Sequence, residues 1–341
     1  MRVASAAAET NVGRKRRHNE DSFVAEPPVF AVADGMGGAQ AGEVASALAA
    51  ETVKESETDP SASGEERVVA LIKAANLRVH QRASSDTSAS GMGTTMTVAL
   101  LEPDGTVAIG HVGDSRAYRL RAGRLEQLTD DHSLVAELVR RGELSPEEAA
   151  VHPQRSVITR ALGTDADVDV DAFTVEARDG DLFLLCSDGL TTMVDAETIS
   201  GILEQNRGSL EVATRALIKA ANDRGGDDNI TAILFAVADG DRDATVENVL
   251  IATSAPSIDD EDTLHPEDDV RLPLPPATAP PAEVTMVVSA EEIARAREQQ
   301  QESASEPEGE RASPVRVAIA LLVIALLVVL IVLLVLDALP R

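Results

Sequence analysis

The chain has 341 residues, 44% of them hydrophobic, one cysteine and a formal net charge of −28 at pH 7. That balance excludes a nucleic-acid partner, since the phosphate backbone is bound by clustered Lys and Arg. The lone Cys186 excludes a disulfide framework and a thiolate zinc site; within LFLLCSDGL it reads as a small buried hydrophobe in a reducing compartment.

The N-terminus MRVASAAAETNVGRKRRHNED lacks the apolar core of a signal peptide, so export by that route is not expected. Residues 29–33 (VFAVA) form a short apolar run ending in Asp34-Gly35, which predicts a buried strand. From Gly42, GEVASALAAETVKE has helical spacing, and residues 68–82 repeat it. A loop, SSDTSASG, precedes a β-branched strand over 94–101, and EPDG turns the chain into VAIGHV. After Gly113-Asp114-Ser115 comes the strand AYRL, with the turn RAG beyond it. Residues 133–141 read as a helix stopped by Gly142, and Ser145-Pro146 starts another with a serine cap. Residues 152–163 (HPQRSVITRALG) have no clean period and predict an irregular segment. A strand over 182–187 ends in Asp188-Gly189, helices start near Ala196 and Leu210, and residues 230–237 form a last strand. Strands in hairpin pairs with helices in separate blocks predict an α+β domain over 1–240.

Composition then changes. Residues 241–314 are acidic and proline-rich (DDEDTLHPEDD, LPLPPATAPPAE), which predicts a disordered linker. Such a coil spans roughly 45–50 Å root-mean-square. Residues 317–336 are apolar and uncharged, long enough to cross about 30 Å of hydrocarbon. A transmembrane helix is therefore expected over 315–337, followed by a short tail over 338–341. Arg311 and Arg316 precede it, so the positive-inside bias puts the N-terminal side in the cytoplasm. The expectation is a single-pass tail anchor in the cytoplasmic membrane.

Four aspartates follow apolar runs in the same way: Asp34 in FAVADGMGG, Asp114 in HVGDSRAY, Asp188 in LLCSDGL and Asp228 in GGDDNITAIL. Each alone reads as an ordinary turn. Gathered at one edge, they would repel one another unless a cation neutralised them. Oxygen-only ligands select a hard ion, Mg²⁺ or Mn²⁺, over zinc. The six histidines show no metal-ligand spacing.

The ordered set Arg-x-x-Asn-Glu-Asp (residues 16–21), ADGMGG, GMGTT, GDSRAY, TDDHSL, HPQRSVITRALG, CSDGL and GGDDNIT resembles the protein phosphatase 2C family, its bacterial branch above all. The likeness covers about residues 9–237. It implies a four-layer α-β-β-α sandwich with two central antiparallel sheets and a dinuclear metal site between them. Asp34 would bridge two Mn²⁺ or Mg²⁺ ions and the Gly35 carbonyl would be a ligand. Asp188 and Asp228 would complete the first ion's shell, while Asp114 with Asp188 would hold a third, weaker ion. Glu20 and Asp21 would sit at the second ion or orient its waters. Arg16 would grip the substrate phosphate, its planar fork matching two oxygens. Residues 152–163 match the family's flap beside the active site.

The activity implied is hydrolysis of phosphoserine and phosphothreonine in proteins by a water activated between two ions, with no phosphoenzyme. Met36 departs from members that carry histidine directly after Asp-Gly and cannot protonate a leaving alkoxide. That leaves water on the ions as the expected proton donor, with His132 and His152 as weaker candidates. Expected partners are phosphorylated proteins, including a serine/threonine kinase and its substrates, and the membrane. The alternatives are a switch phosphatase dedicated to one regulator, a phosphoprotein-binding pseudophosphatase, and a linker that serves as a docking tail.

Overall fold

The computed structural model of the chain describes residues 1–37, 41–86, 89 and 91–240, with the backbones of two further strands at Val249–Thr253 and Met286–Val287. A compact unit spans Met1–Ser289; the second unit, Ala290–Arg341, lies outside the described residues.

Two six-stranded sheets organise the compact unit. The first contains β1 (Arg2–Asn11), β7 (Arg116–Arg121), β8 (Arg124–Gln127), β11 (Leu182–Cys186), β12 (Ile230–Ala238) and β13 (Val249–Thr253), in the order β13-β1-β12-β11-β7-β8. The second contains β2 (Asp21–Glu26), β3 (Val29–Met36), β5 (Met96–Leu101), β6 (Thr106–Val112) and β10 (Asp171–Glu176), in the order β10-β6-β5-β3-β2. The short β4 (Gly93–Thr94) pairs with the end of β3. All these pairings are antiparallel except that of β13 with β1. A separate two-residue parallel pair joins β9 (Val157–Ile158) to β14 (Met286–Val287).

Alternating side chains build three cores between four layers. On β12, Ile230, Ala232 and Leu234 face one way, and Ile233, Phe235 and Val237 the other. The first set packs under α6 (Ala196–Gln205) and α7 (Leu210–Asp223), which contribute Ile199, Leu203 and Leu217. The second set meets Phe30, Val32 and Ile109 of the opposite sheet. Phe235 stacks between Phe30 and Phe183, with ring centroids 4.2 and 4.9 Å away. On the far side, α1 (Ala41–Glu55) and α2 (Gly64–Ser85) bury Ala45, Ala49, Val68 and Ile72 against Ala31 and Val98. A strand buried on both faces reads as a continuous apolar run, which is why β11 and β12 are so plain in the sequence.

The mixed architecture with two antiparallel sheets agrees with expectation, and the elements differ in detail. The central strand β1 was not foreseen: RVASAAAETN is rich in alanine and lacks the β-branched signature. Its small side chains fit because Ala6 and Ala8 enter the core between the sheets while Ala7 faces the helices. β2, β8 and β10 were missed too, their faces being only partly buried. β3 does not end at Asp34 but continues to Met36 through its pairing with β4. Asp188 opens a one-turn helix, α5 (Asp188–Thr191). The shorter helices α3 (Leu134–Arg140) and α4 (Pro146–Ala150) carry serine caps at Ser133 and Ser145. Residues 152–163 are irregular apart from β9.

The strands β13 and β14 fall within 241–314, the stretch read as linker; its other residues lie outside the described residues. So does the apolar run 317–336. Among the described residues no helix is long and apolar enough to cross a membrane.

Candidate active site

The hairpin of β2 and β3 sets Asp21 directly opposite Asp34. Residues opposite each other in an antiparallel pair project from the same face, so two acids share one place. The Asp34 peptide is pinned by the GMGTT segment. Its N–H donates to Thr95 Oγ1 at 3.0 Å, and its carbonyl accepts from Thr95 N–H and Thr94 Oγ1, both at 2.9 Å. Burial first, then the negative field of Asp21, Asp188, Asp228 and Asp114, hold the Asp34 carboxyl well above the usual carboxylate range.

Asp21 Oδ2 accepts from Thr231 Oγ1 at 2.6 Å and from Ser187 Oγ at 2.8 Å. Its Oδ1 is buried with no partner. Burial outweighs the two hydroxyls and, with the charges of Asp228 and Asp188, pushes Asp21 up to about 7. Asp188 begins α5, where the cap hydroxyl of Ser187 is turned toward Asp21 instead of the helix. Burial and the nearby Asp228 push Asp188 up to about 6, moderated by a hydrogen bond with Asp34. Its Oδ1 is likewise buried without a partner. Asp114, between β6 and β7, is raised well above its ordinary range by burial and by Asp188 and Asp131.

Two close backbone approaches bring these loops together. A Cβ on Gly189 would lie 2.0 Å from the Asn229 carbonyl oxygen, so only glycine lets the Asp188 turn touch the Asp228 loop. A Cβ on Gly35 would lie 2.1 Å from the Gly42 carbonyl oxygen and 2.6 Å from that of Glu20. Gly35 N–H donates to this Glu20 oxygen at 3.0 Å. Asn229 ties the Arg16 loop to β12. Its Oδ1 accepts from Glu20 N–H at 2.8 Å, and its Nδ2 donates to the carbonyls of Val12 and His18, each at 2.9 Å.

Arg16 Nη2 donates to Asp228 Oδ2 at 2.7 Å, and Nη1 lies 4.0 Å from Glu20 Oε2. Burial would lower the Arg16 pKa, but Asp228, Glu20 and Asp34 raise it overall. Burial raises Glu20, with Arg16 opposing and Asp228 and Glu43 adding to the rise. In the neighbouring basic run, Arg14 pairs with Asp223 at 3.7 Å and Lys15 with Asp227 at 2.8 Å.

The structure thus places Asp21, Asp34, Asp114, Asp188 and Asp228 in one another's field, with Glu20 and Arg16 beside Asp228. Among the described residues no group of three or more His, Cys, Asp or Glu side chains is gathered closely enough to hold a metal ion as it stands. The residues nevertheless fit a hard divalent cation. The donors are all oxygens, and the buried Oδ1 atoms of Asp21 and Asp188 have free acceptor capacity.

The other candidates have partners of their own. Met36 packs on Ile158 and Ala161. His132 is buried and fully hydrogen-bonded, and its pKa is lowered by burial and Arg160 despite Asp171. His152 accepts from Gln154 N–H within its own turn. Sequence reasoning passed over Thr94, Thr95, Ser187, Thr231 and Asn229, which hold the acids in place. Their signal was present, because each lies inside one of the ordered motifs.

Comparison with known proteins follows the same order of elements. The family model for Protein phosphatase 2C matches residues 13–235. Serine/threonine phosphatase stp of Listeria welshimeri is 42% identical over 239 residues, covering 67% of this chain and 94% of that protein. The crystal structure of the Mycobacterium tuberculosis serine/threonine phosphatase PstP/Ppp is 38% identical, with a TM-score of 0.66, covering 70% of this chain and 100% of that one. The catalytic domain of PstP in complex with two manganese ions is 37% identical, with a TM-score of 0.64 and the same coverage. With its acid cluster, its two sheets and these relatives, the chain belongs to the protein phosphatase 2C family of enzymes.

Proposed function

We propose that the chain hydrolyses phosphoserine and phosphothreonine in proteins, with two Mn²⁺ or Mg²⁺ ions held among Asp34, Asp188, Asp228, Asp21, Glu20 and the Gly35 carbonyl. Asp114 with Asp188 would take a third, weaker ion. The observation that carries this reading is Asp34 among mutually repelling carboxylates, buried or partly buried, whose charge a bound cation would offset. When bound, the ions supply an activated water near neutral pH and offset charge on the phosphoryl oxygens.

The protein's own part is to hold groups in place. Thr94 and Thr95 fix the Asp34 backbone, and Ser187 and Thr231 aim Asp21. Arg16, already pre-oriented by Asp228, supplies donors for two phosphate oxygens. Met36 is committed to an apolar contact, so the leaving-group proton comes from water.

The substrates in this reading include a serine/threonine kinase and its targets. The apolar run 317–336 serves as a single-pass anchor that keeps the catalytic unit on the cytoplasmic face, raising its effective concentration toward membrane-bound substrates. Retention of the chain in membranes after alkaline extraction, lost on deletion of residues 315–337, tests the anchor.

The activity is tested with the purified full-length chain on a phosphothreonine peptide in Mn²⁺, Mg²⁺ or chelator. Metal-dependent phosphate release supports the reading. A folded chain that releases none with either metal overturns it.

A further inference from the structure

Residues 157–163 are attached to the acid-bearing loops at three points. Met36, two residues after Asp34, packs on Ile158 and Ala161. Leu162 exchanges backbone hydrogen bonds with Thr94, at 2.8 and 3.1 Å, and Thr94 in turn holds the Asp34 carbonyl. The third attachment runs through His132, whose carbonyl accepts from Thr159 N–H at 2.8 Å.

His132 is 3% exposed. Its N–H donates to the Gly113 carbonyl at 2.7 Å, and its Nδ1 lies 3.0 Å from the Gly113 N–H. A backbone N–H can only donate, so Nδ1 is the acceptor and the ring proton resides on Nε2. Nε2 then donates to Asp171 Oδ2 at 3.1 Å. The other oxygen of Asp171 takes the Arg160 guanidinium, which also reaches the Asp169 carbonyl at 3.3 Å. The His132 ring therefore holds Gly113, the residue before Asp114, and Asp171, which pairs with Arg160, while the His132 backbone carbonyl holds Thr159. Gly113 has φ +115°, and a Cβ there would lie 2.5 Å from Thr95 Cβ, so this loop has little freedom to absorb a shift.

We propose that His132 is a positioning residue that couples residues 157–163 to the Asp114 loop, so that filling the acid cluster and settling this segment beside it are one equilibrium. The proposal rests on the metal-dependent reading above. Mechanical coupling of this kind needs packed, hydrogen-bonded groups with few alternative arrangements, which the buried imidazole and the pinned glycine supply.

The test uses the full-length chain and His132→Asn, whose shorter amide retains an acceptor for Gly113 N–H but does not reach Asp171. Asp171→Ala, on the exposed side of the same link, serves if His132→Asn does not fold. Backbone hydrogen exchange over 157–163 is read with and without Mn²⁺, and Mn²⁺ binding is followed separately by calorimetry. In the parent chain Mn²⁺ is expected to slow exchange at Thr159 and its neighbours. In either variant this slowing is expected to be lost while Mn²⁺ still binds. KM for a phosphothreonine peptide should rise about 10-fold, the effect of a typical outer-shell partner, with turnover of a small aryl phosphate kept. Mn²⁺ binding with no change in exchange, or a variant that keeps the full slowing, overturns the coupling alone. Absence of Mn²⁺ binding to the folded parent overturns the metal reading and the coupling with it.

Discussion

Asp21 and Asp34 stand opposite each other on adjacent antiparallel strands, Asp21 buried and Asp34 partly buried. Like charges in that arrangement destabilise a sheet. Asp34→Asn removes one of them without changing shape. The metal-free variant is expected to be at least as stable as the parent at pH 8 by thermal unfolding. Its turnover with Mn²⁺ should fall by more than the roughly 10–100-fold typical of an outer-shell partner. Parent-like activity in this variant would remove Asp34 from the site.

Arg16 and Asp228 form a charge-assisted hydrogen bond of 2.7 Å, joining the side chain proposed to bind phosphate to one proposed to bind metal. Arg16→Ala should therefore do two things. KM for phosphopeptide should rise more than kcat falls, because a ground-state phosphate contact is lost. Mn²⁺ affinity, by calorimetry, should increase about 10-fold, since Asp228 is freed of a competitor worth about 1.5–3 kcal/mol at most. A pure kcat effect with unchanged metal affinity would contradict both roles.

The raised carboxyls also set the pH dependence of the metal-free chain. Asp21 titrates at about 7 when folded, pushed there chiefly by burial, and Asp34 and Asp114 lie well above their ordinary values. In the unfolded chain all three are ionised above about pH 5. Between pH 6.5 and 8.5 the folded form therefore holds more protons, and stability falls as pH rises. The melting temperature without metal is expected to drop across this window. Stabilisation by Mn²⁺ should grow across it, because bound cation replaces the protons. A flat or rising metal-free profile would count against the burial of these acids.

Phe235 holds the two sheets together from the middle of a stack with Phe30 and Phe183. Truncating it leaves a cavity between layers that cannot readily collapse. Phe235→Ala is expected to cost about 3–5 kcal/mol in denaturant unfolding. The folded fraction should keep near-parent activity, since the stack belongs to the apolar core between the sheets. A loss under 1 kcal/mol, on the scale of roughly one buried methylene, would show that the sheets pack otherwise.

Much of this protein was legible from the order of residues alone. The runs near Asp34, Asp188 and Asp228 are largely apolar because their strands are buried on both faces, and an Asp beside such a run marks a sheet rim. Local chemistry of this kind needs no knowledge of distant partners, and the ordered motifs carried the family likeness with it. The acid cluster itself was only an inference until hairpin register and glycine contacts brought residues more than 200 positions apart, such as Asp21 and Thr231, within 2.6 Å. The strand β1 was hidden for the converse reason: its alanines carry little propensity of their own and become a central strand only between β12 and β13. His132 is a weaker candidate acid in the sequence, and only the tertiary structure shows what its ring faces. Gly113, Asp171 and Thr159 come from three separate parts of the chain, the first two hydrogen-bonded to the ring and the third to the His132 backbone carbonyl.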